Sequence, residues 1–210
     1  MSLWTNFAEL LQNGILFFGQ VFGGNMGTAI ITFSLFLRLL ILPLTLKIAE
    51  RSFIRQKIMK ELQPELEKLK KRFRKQPEIL ARATMEMYKK HNISMIDSFS
   101  FLGGLVQLPV FFGLFSAVRR ILVNFGSRFL WIRNIALPDL KLTLFVTVLT
   151  YIMVSLSPNL SGQYKLLMIL LPTALSFFFL WHMAAGIGLY WASTSAVGIL
   201  QIAIIRYRRK

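Results

Sequence analysis

Arg38 stands inside a long apolar run, Ser34-Leu35-Phe36-Leu37-Arg38-Leu39-Leu40-Ile41-Leu42-Pro43. A guanidinium does not give up its charge in a protein. Placing one at the centre of a membrane helix costs about 2.5–3.5 kcal/mol on insertion scales. Such a residue either faces a bundle interior or a water-filled cavity, or reaches along its helix to an interface. Both readings stand open on the residues alone. Ser34 and Arg38 are four apart and Thr45 follows seven later, so one helix face is polar. The chemistry open to this group is electrostatic. It attracts anions and holds water, and it needs no covalent step.

The other reactive side chains narrow the field. The chain has no Cys, which excludes disulfides, thiolate metal sites and a Cys nucleophile. Its two histidines, His91 and His182, have no compelling nucleophile motif beside them. That argues against a Ser–His dyad and against an intramembrane metal site. No catalytic residue, cofactor or metal is expected. The nine acids are Glu9, Glu50, Glu61, Glu65, Glu67, Glu78, Glu86, Asp97 and Asp139, and all lie outside the apolar runs. The groups that remain to face Arg38 are water and neutral polar side chains: Gln107 on the second span, Thr147, Thr150, Tyr151 and Ser155 on the third, and Tyr190, Trp191, Thr194 and Ser195 on the fifth, with Ser34 one turn away. The expectation is a hydrated, electropositive cavity. An anion channel or transporter using Arg38 as its anion site is the contrasting reading. It predicts internal repeats or a through-pore, and no repeat is visible in the sequence.

The elements that must position these residues follow from composition. Hydrophobic residues make up 55% of the 210-residue chain and charged residues 16%, against about 25% charged in a soluble chain. Five apolar segments pass a membrane-span test, near 25–46, 101–118, 142–157, 166–181 and 185–205. They do not alternate polar and apolar residues, so the expected fold is all-α, with kinks at Pro43, Pro109 and Pro172. Of 25 Lys and Arg residues, fourteen fall in segment 47–98 and none in 1–24. The positive-inside rule then places the N-terminus outside and the C-terminus in the cytoplasm. Between the first two spans, Ile54, Ile58, Leu62, Leu66, Leu69 and Phe73 form one helical stripe, and Leu80, Ala83 and Met87 form a second after Gln76-Pro77. That pattern predicts an antiparallel cytoplasmic hairpin whose basic face docks to an anionic surface or fixes topology. No pattern argues for specific nucleic-acid recognition. The expected divisions are an amphipathic extracytoplasmic lead-in over 1–24, a first span over 25–46, the hairpin over 47–98, four further spans over 99–205 and a short basic tail over 206–210.

Several motifs together resemble one family. Asn25-Met26-Gly27, the run 30–38 and Leu42-Pro43-Leu44-Thr45 are similar to the first core span of the YidC/Oxa/Alb membrane protein insertases. The likeness continues in Leu62-Gln63-Pro64-Glu65-Leu66, Met87-Tyr88-Lys89, Leu105-Val106-Gln107-Leu108-Pro109, Leu156-Ser157-Pro158 and Gly186-Ile187-Gly188-Leu189-Tyr190-Trp191, with Gln201 near the end. The chain departs from the family pattern at Asn92-Ile93-Ser94, at Met153 and Val154, at Ala184 and at Thr194-Ser195. The resemblance implies five transmembrane helices around a groove open to cytoplasm and lipid, with Arg38 as the groove arginine and Gln107 and Trp191 as contributors. It implies insertion and folding of nascent membrane proteins in a bacterial inner or plasma membrane, alone or with the Sec translocon. The basic hairpin is the candidate contact with a ribosome.

Overall fold

The protein is described by a computed structural model that covers residues 3–91, 98–124, 127–157 and 165–208; the side chains of 98–107 lie outside the described residues. Among the described residues eight helices follow in order: α1 (Leu3–Val21), α2 (Met26–Glu61), α3 (Gln63–Arg72), α4 (Pro77–Lys90), α5 (Ser98–Asn124), α6 (Leu140–Leu156), α7 (Lys165–Trp181) and α8 (Ala185–Arg208). The described residues contain one isolated β-bridge, Phe129 to Ile132.

Helix α2 carries on through Pro43 for 36 residues, about 54 Å at 1.5 Å per residue. That exceeds the ~30 Å of a hydrocarbon layer. The first apolar run and the first arm of the hairpin are therefore one continuous helix, unbroken at residue 46. Among the described residues α2 and α8 are long and apolar enough to cross a membrane, while α6 and α7 are apolar helices of 17 residues. Pro109 and Pro172 also lie inside their helices, α5 and α7.

Helices α3 and α4 pack together beyond the end of α2, with Leu80 and Ala83 of the second stripe only partly covered. Leu62 separates α2 from α3, and Pro64 sits in the first turn of α3, where its missing N–H costs nothing. Leu62 and Met87 are buried against each other, with Ile58, Met59, Leu66, Leu69 and Tyr88 packed around them. Ile54 leaves the stripe and is exposed.

Helix α1 packs along α2 and α5, and its buried stripe is Ala8, Leu11 and Ile15. A turn at Gly23 (φ 64°) and Gly24 (φ 85°) reverses the chain between α1 and α2. Only glycine enters that left-handed region without strain. The lead-in is thus part of the packed bundle.

Helix α8 is the axis. It packs against α2, α5, α6 and α7, and Ala185 through Tyr190 are all buried. Its N-terminal turn is closed by the segment that precedes α6. Ala185 N–H donates to the Leu137 carbonyl at 2.9 Å and Gly186 N–H to the Ile135 carbonyl at 2.8 Å. The same segment packs Phe129 on Gly27 at the start of α2, where a Cβ would lie 2.5 Å from the ring. Asn25 caps α2 by accepting from Thr28 N–H at 3.0 Å. The bundle end opposite the hairpin is therefore sealed by backbone hydrogen bonds and aromatic packing. Replacing Gly27 by Val should force Phe129 out of this seal and destabilise the protein by about 1–3 kcal/mol. A thermal melt of purified Gly27→Val in detergent checks this; an unchanged midpoint would remove the seal from the account.

Candidate functional site

The depth of Arg38 is set by the register of α2 against α8. At one end, Ile30 packs against Gly186. At the other, Gln201 Nε2 donates to the Thr45 carbonyl at 3.0 Å. Both helices advance by the same number of residues between these contacts, so they run parallel and in step. Arg38 then lies level with Thr194, nine residues past the start of α8, or about 14 Å along it. That is roughly half of a ~30 Å hydrocarbon layer.

Across this seam the structure brings together four of the residues expected at the cavity. Arg38 is half-buried and close enough to Tyr190 for the two to interact electrostatically. Tyr190 is buried, its ring tilted on Phe111 with centroids 5.7 Å apart. Its hydroxyl lies beside Thr194, one turn on, without meeting hydrogen-bond geometry among the described residues. Ser34 is buried one turn above Arg38, and its hydroxyl donates back to the Ile30 carbonyl. Helical spacing puts Tyr190, Thr194 and Gln201 on the α8 face that meets α2.

Trp191 belongs to an adjoining wall. It meets Phe111 edge-on at 5.6 Å and Phe179 at 5.9 Å, and Phe115 meets Phe179 at 6.1 Å. These rings join α5, α7 and α8 on the side of the seam that α6 does not cover. Thr150 sits elsewhere. Helix α6 lays Leu142 on Gly188 and Met153 on Gly198, and Thr150 is buried on the stripe between them, its hydroxyl donating to the Val146 carbonyl at 2.9 Å. It lines the α6–α8 seam. The side chain of Gln107 lies outside the described residues.

Sequence reasoning did not assign three positioning contacts. Gln201 bridges α8 to α2, as above. Arg206 Nη2 donates to the Leu156 carbonyl at 2.7 Å, satisfying a free carbonyl at the end of α6. Arg208 pairs with Glu50 at 3.3 Å, tying the end of α8 to α2. A Gln inside an apolar span and basic residues in a helix's last turn were the available signals. Among the described residues no cluster of His, Asp and Glu could hold a metal ion.

Apolar helices around a buried axis, with a half-buried arginine inside the apolar part of α2, define the class: an all-helical protein with membrane-type helices. The comparisons give the family. The model described as 60Kd inner membrane protein matches residues 17–210. A protein named membrane protein insertase YidC from Fusobacterium nucleatum is 35% identical over 187 residues, covering 85% of this chain and 84% of that protein. Its namesake from Leptospira interrogans serovar Lai is 28% identical over 205 residues, covering 89% of this chain and 32% of the relative. That from Citrifermentans bemidjiense is 32% identical over 182 residues, covering 85% and 33%. The chain thus spans most of the first relative and about a third of the other two. A crystal structure described as an active YidC insertase with its first transmembrane domain resolved shares the fold, with a TM-score of 0.66 at 22% identity over 97% of this chain and 46% of that one. The chain belongs to the 60Kd inner membrane protein family, that of the YidC insertases.

The seam yields a packing prediction. Tyr190→Phe keeps the ring on Phe111 and should leave stability nearly unchanged, whereas Tyr190→Ala should cost about 3–5 kcal/mol. Denaturant melts of the two variants check this, and equal losses would show that the hydroxyl rather than the ring holds the seam.

Proposed function

We propose that this protein inserts nascent membrane proteins into the inner membrane and helps them fold, using a hydrated groove along the α2–α8 seam. The single observation that carries the reading is Arg38, held half-buried at mid-depth beside Tyr190 and Thr194. Family membership and the relatives named membrane protein insertase support it. In this reading α2, α5, α6, α7 and α8 are the five spans, with the N-terminus outside and the hairpin and C-terminus in the cytoplasm. Ser34, Arg38, Tyr190 and Thr194 line the groove, joined by Gln107 on α5. Trp191 stands in its aromatic wall and Thr150 stiffens the neighbouring seam.

The mechanism is substitution of solvent. A polar tail crossing ~30 Å of hydrocarbon loses its hydrogen bonds to water. A groove that brings water and a cation to mid-depth shortens that crossing. Buried hydroxyls of Tyr190, Ser155 and Ser195 have no hydrogen-bond partner among the described residues, and buried polar groups call for one. Hydration of the groove and of the adjoining seam supplies it. Arg38 attracts acidic residues of the tail, while exposed Leu166, Leu170, Leu171, Leu175 and Phe178 on α7 offer an apolar face along which the following span meets lipid. No covalent step is involved. The sealed end of α2 and α8 favours a groove over a through-pore, and so favours an insertase over an anion channel. The Sec translocon and the ribosome are partners consistent with this reading, the latter through the basic exposed face of α3 and α4.

Two measurements test it. Depleting the protein should leave small membrane proteins uninserted, read by protease protection of their tails; normal insertion of every candidate client would overturn the function. Arg38→Ala should impair clients with acidic tails several-fold more than matched clients with neutral tails. Equal effects on both would remove the electrostatic role while leaving insertion itself intact.

A further inference from the structure

At the end of the bundle opposite the hairpin, a cavity of about 440 Å³ opens among the ends of α5, α7 and α8 and the segment before α6. Its volume falls within the ~300–1,000 Å³ usual for small-molecule sites. Arg119 and His182 supply its charged and polar lining, and Leu122, Met183 and Ile187 its apolar lining. His182 is held in place by its own turn, with Nδ1 3.2 Å from the Phe178 carbonyl. A carbonyl only accepts, so Nδ1 carries the proton and Nε2 is left available to a ligand.

The segment that begins at Arg119 and supplies part of the lining is mainly basic. Segment 119–141 holds Arg119, Arg120, Arg128, Arg133 and Lys141 against a single acid, Asp139. That carboxylate is already engaged: it accepts from Leu142 N–H at 2.7 Å and from Trp131 Nε1 at 3.2 Å. Five basic residues on the side that the topology reading makes extracytoplasmic run against the positive-inside trend, so they call for a local cause. The cavity's level is also defined. Arg119 stands five residues before the end of α5, about 7 Å along it. His182 directly follows the last residue of α7. Trp131 and Trp181 are about half exposed at the same end, as residues of an interfacial belt are. Val123, which borders the cavity, is 81% exposed.

We infer that this cavity binds the headgroup of an anionic phospholipid such as phosphatidylglycerol in the outer leaflet, with Arg119 donating to the phosphate, His182 Nε2 accepting from a headgroup hydroxyl, and the start of an acyl chain against Leu122 and Val123. A ligand charged at one end and apolar at the other matches a lining divided in the same way, at the level where such molecules present their headgroups. Arg suits a phosphate because its planar donors form paired hydrogen bonds. The assignment to the outer leaflet rests on the topology given under the proposed function; the binding chemistry does not.

The test uses the full chain in detergent, read by native mass spectrometry during titration with phosphatidylglycerol or phosphatidylcholine. Phosphatidylglycerol should be retained preferentially. Arg119→Gln should weaken that retention roughly tenfold, the loss expected for about one charge-assisted contact, and His182→Leu, which removes the acceptor, roughly threefold, the loss expected for a neutral hydrogen bond. Arg119→Lys should keep part of it, and Arg128→Gln, away from the cavity lining, should leave it unchanged. Thermal melts of the same samples show whether each variant is folded. Equal retention of the two lipids, or equal loss in Arg119→Gln and Arg128→Gln, would overturn the site. Displacement of the lipid by an acidic peptide at lower concentration than by free phosphatidylglycerol would assign the cavity to a translocated tail and overturn the lipid reading. Binding is read without any insertion step, so its failure is distinguishable from failure of the insertase function.

Discussion

The structure depends on the close parallel seam between α2 and α8. A charge in a low-dielectric layer is tolerable only where neighbouring groups and water can reach it, and its position along the layer decides which groups those are. Ile30 against Gly186 and Gln201 against the Thr45 carbonyl fix that position from both ends. The seam therefore does two jobs with one set of contacts. It buries the axis of the bundle, and it sets Arg38 level with Tyr190 and Thr194.

The two ends of the seam are treated differently. At the end near Gly27, backbone groups of the segment before α6 satisfy the first turn of α8, and Phe129 fills the space that a side chain at position 27 would take. At the hairpin end, long polar side chains make the ties: Gln201 to α2, Arg206 to α6 and Arg208 to Glu50. The Arg208–Glu50 pair is exposed and contributes little to stability; Gln201, buried in the seam, is the tie that holds α8 to α2 at this end.

The helices were legible because helix formation and burial are written in local periodicity. The stripes 58–62–66–69 and 80–83–87 name the hairpin's core before any coordinate is known, and Leu62 and Met87 are buried as those stripes require. The continuity of α2 across residue 46 was not legible, because the expected boundary marks where polar residues begin, whereas a helix continues as long as its own hydrogen bonds do, which for α2 is to Glu61. The candidate groove was legible in part. Arg38 announced itself by its cost, and Tyr190 and Thr194 followed as polar residues one turn apart. Thr150 had the same signal, yet its hydroxyl is spent on the Val146 carbonyl and its side chain faces the α6–α8 seam.

The sequence by itself determined that the chain is helical and apolar, that it carries a charge inside an apolar helix, that its positive residues are unequally divided, and which family it resembles. These are consequences of residue type and spacing, which need no partner in space. Only the tertiary structure decided which helix meets which, that α8 is the axis, that Trp191 stands in an aromatic wall with Phe111 and Phe179, and that Arg119 and His182 share a cavity. Those facts depend on register and on helix rotation, and residues 63 positions apart reveal neither until they are packed.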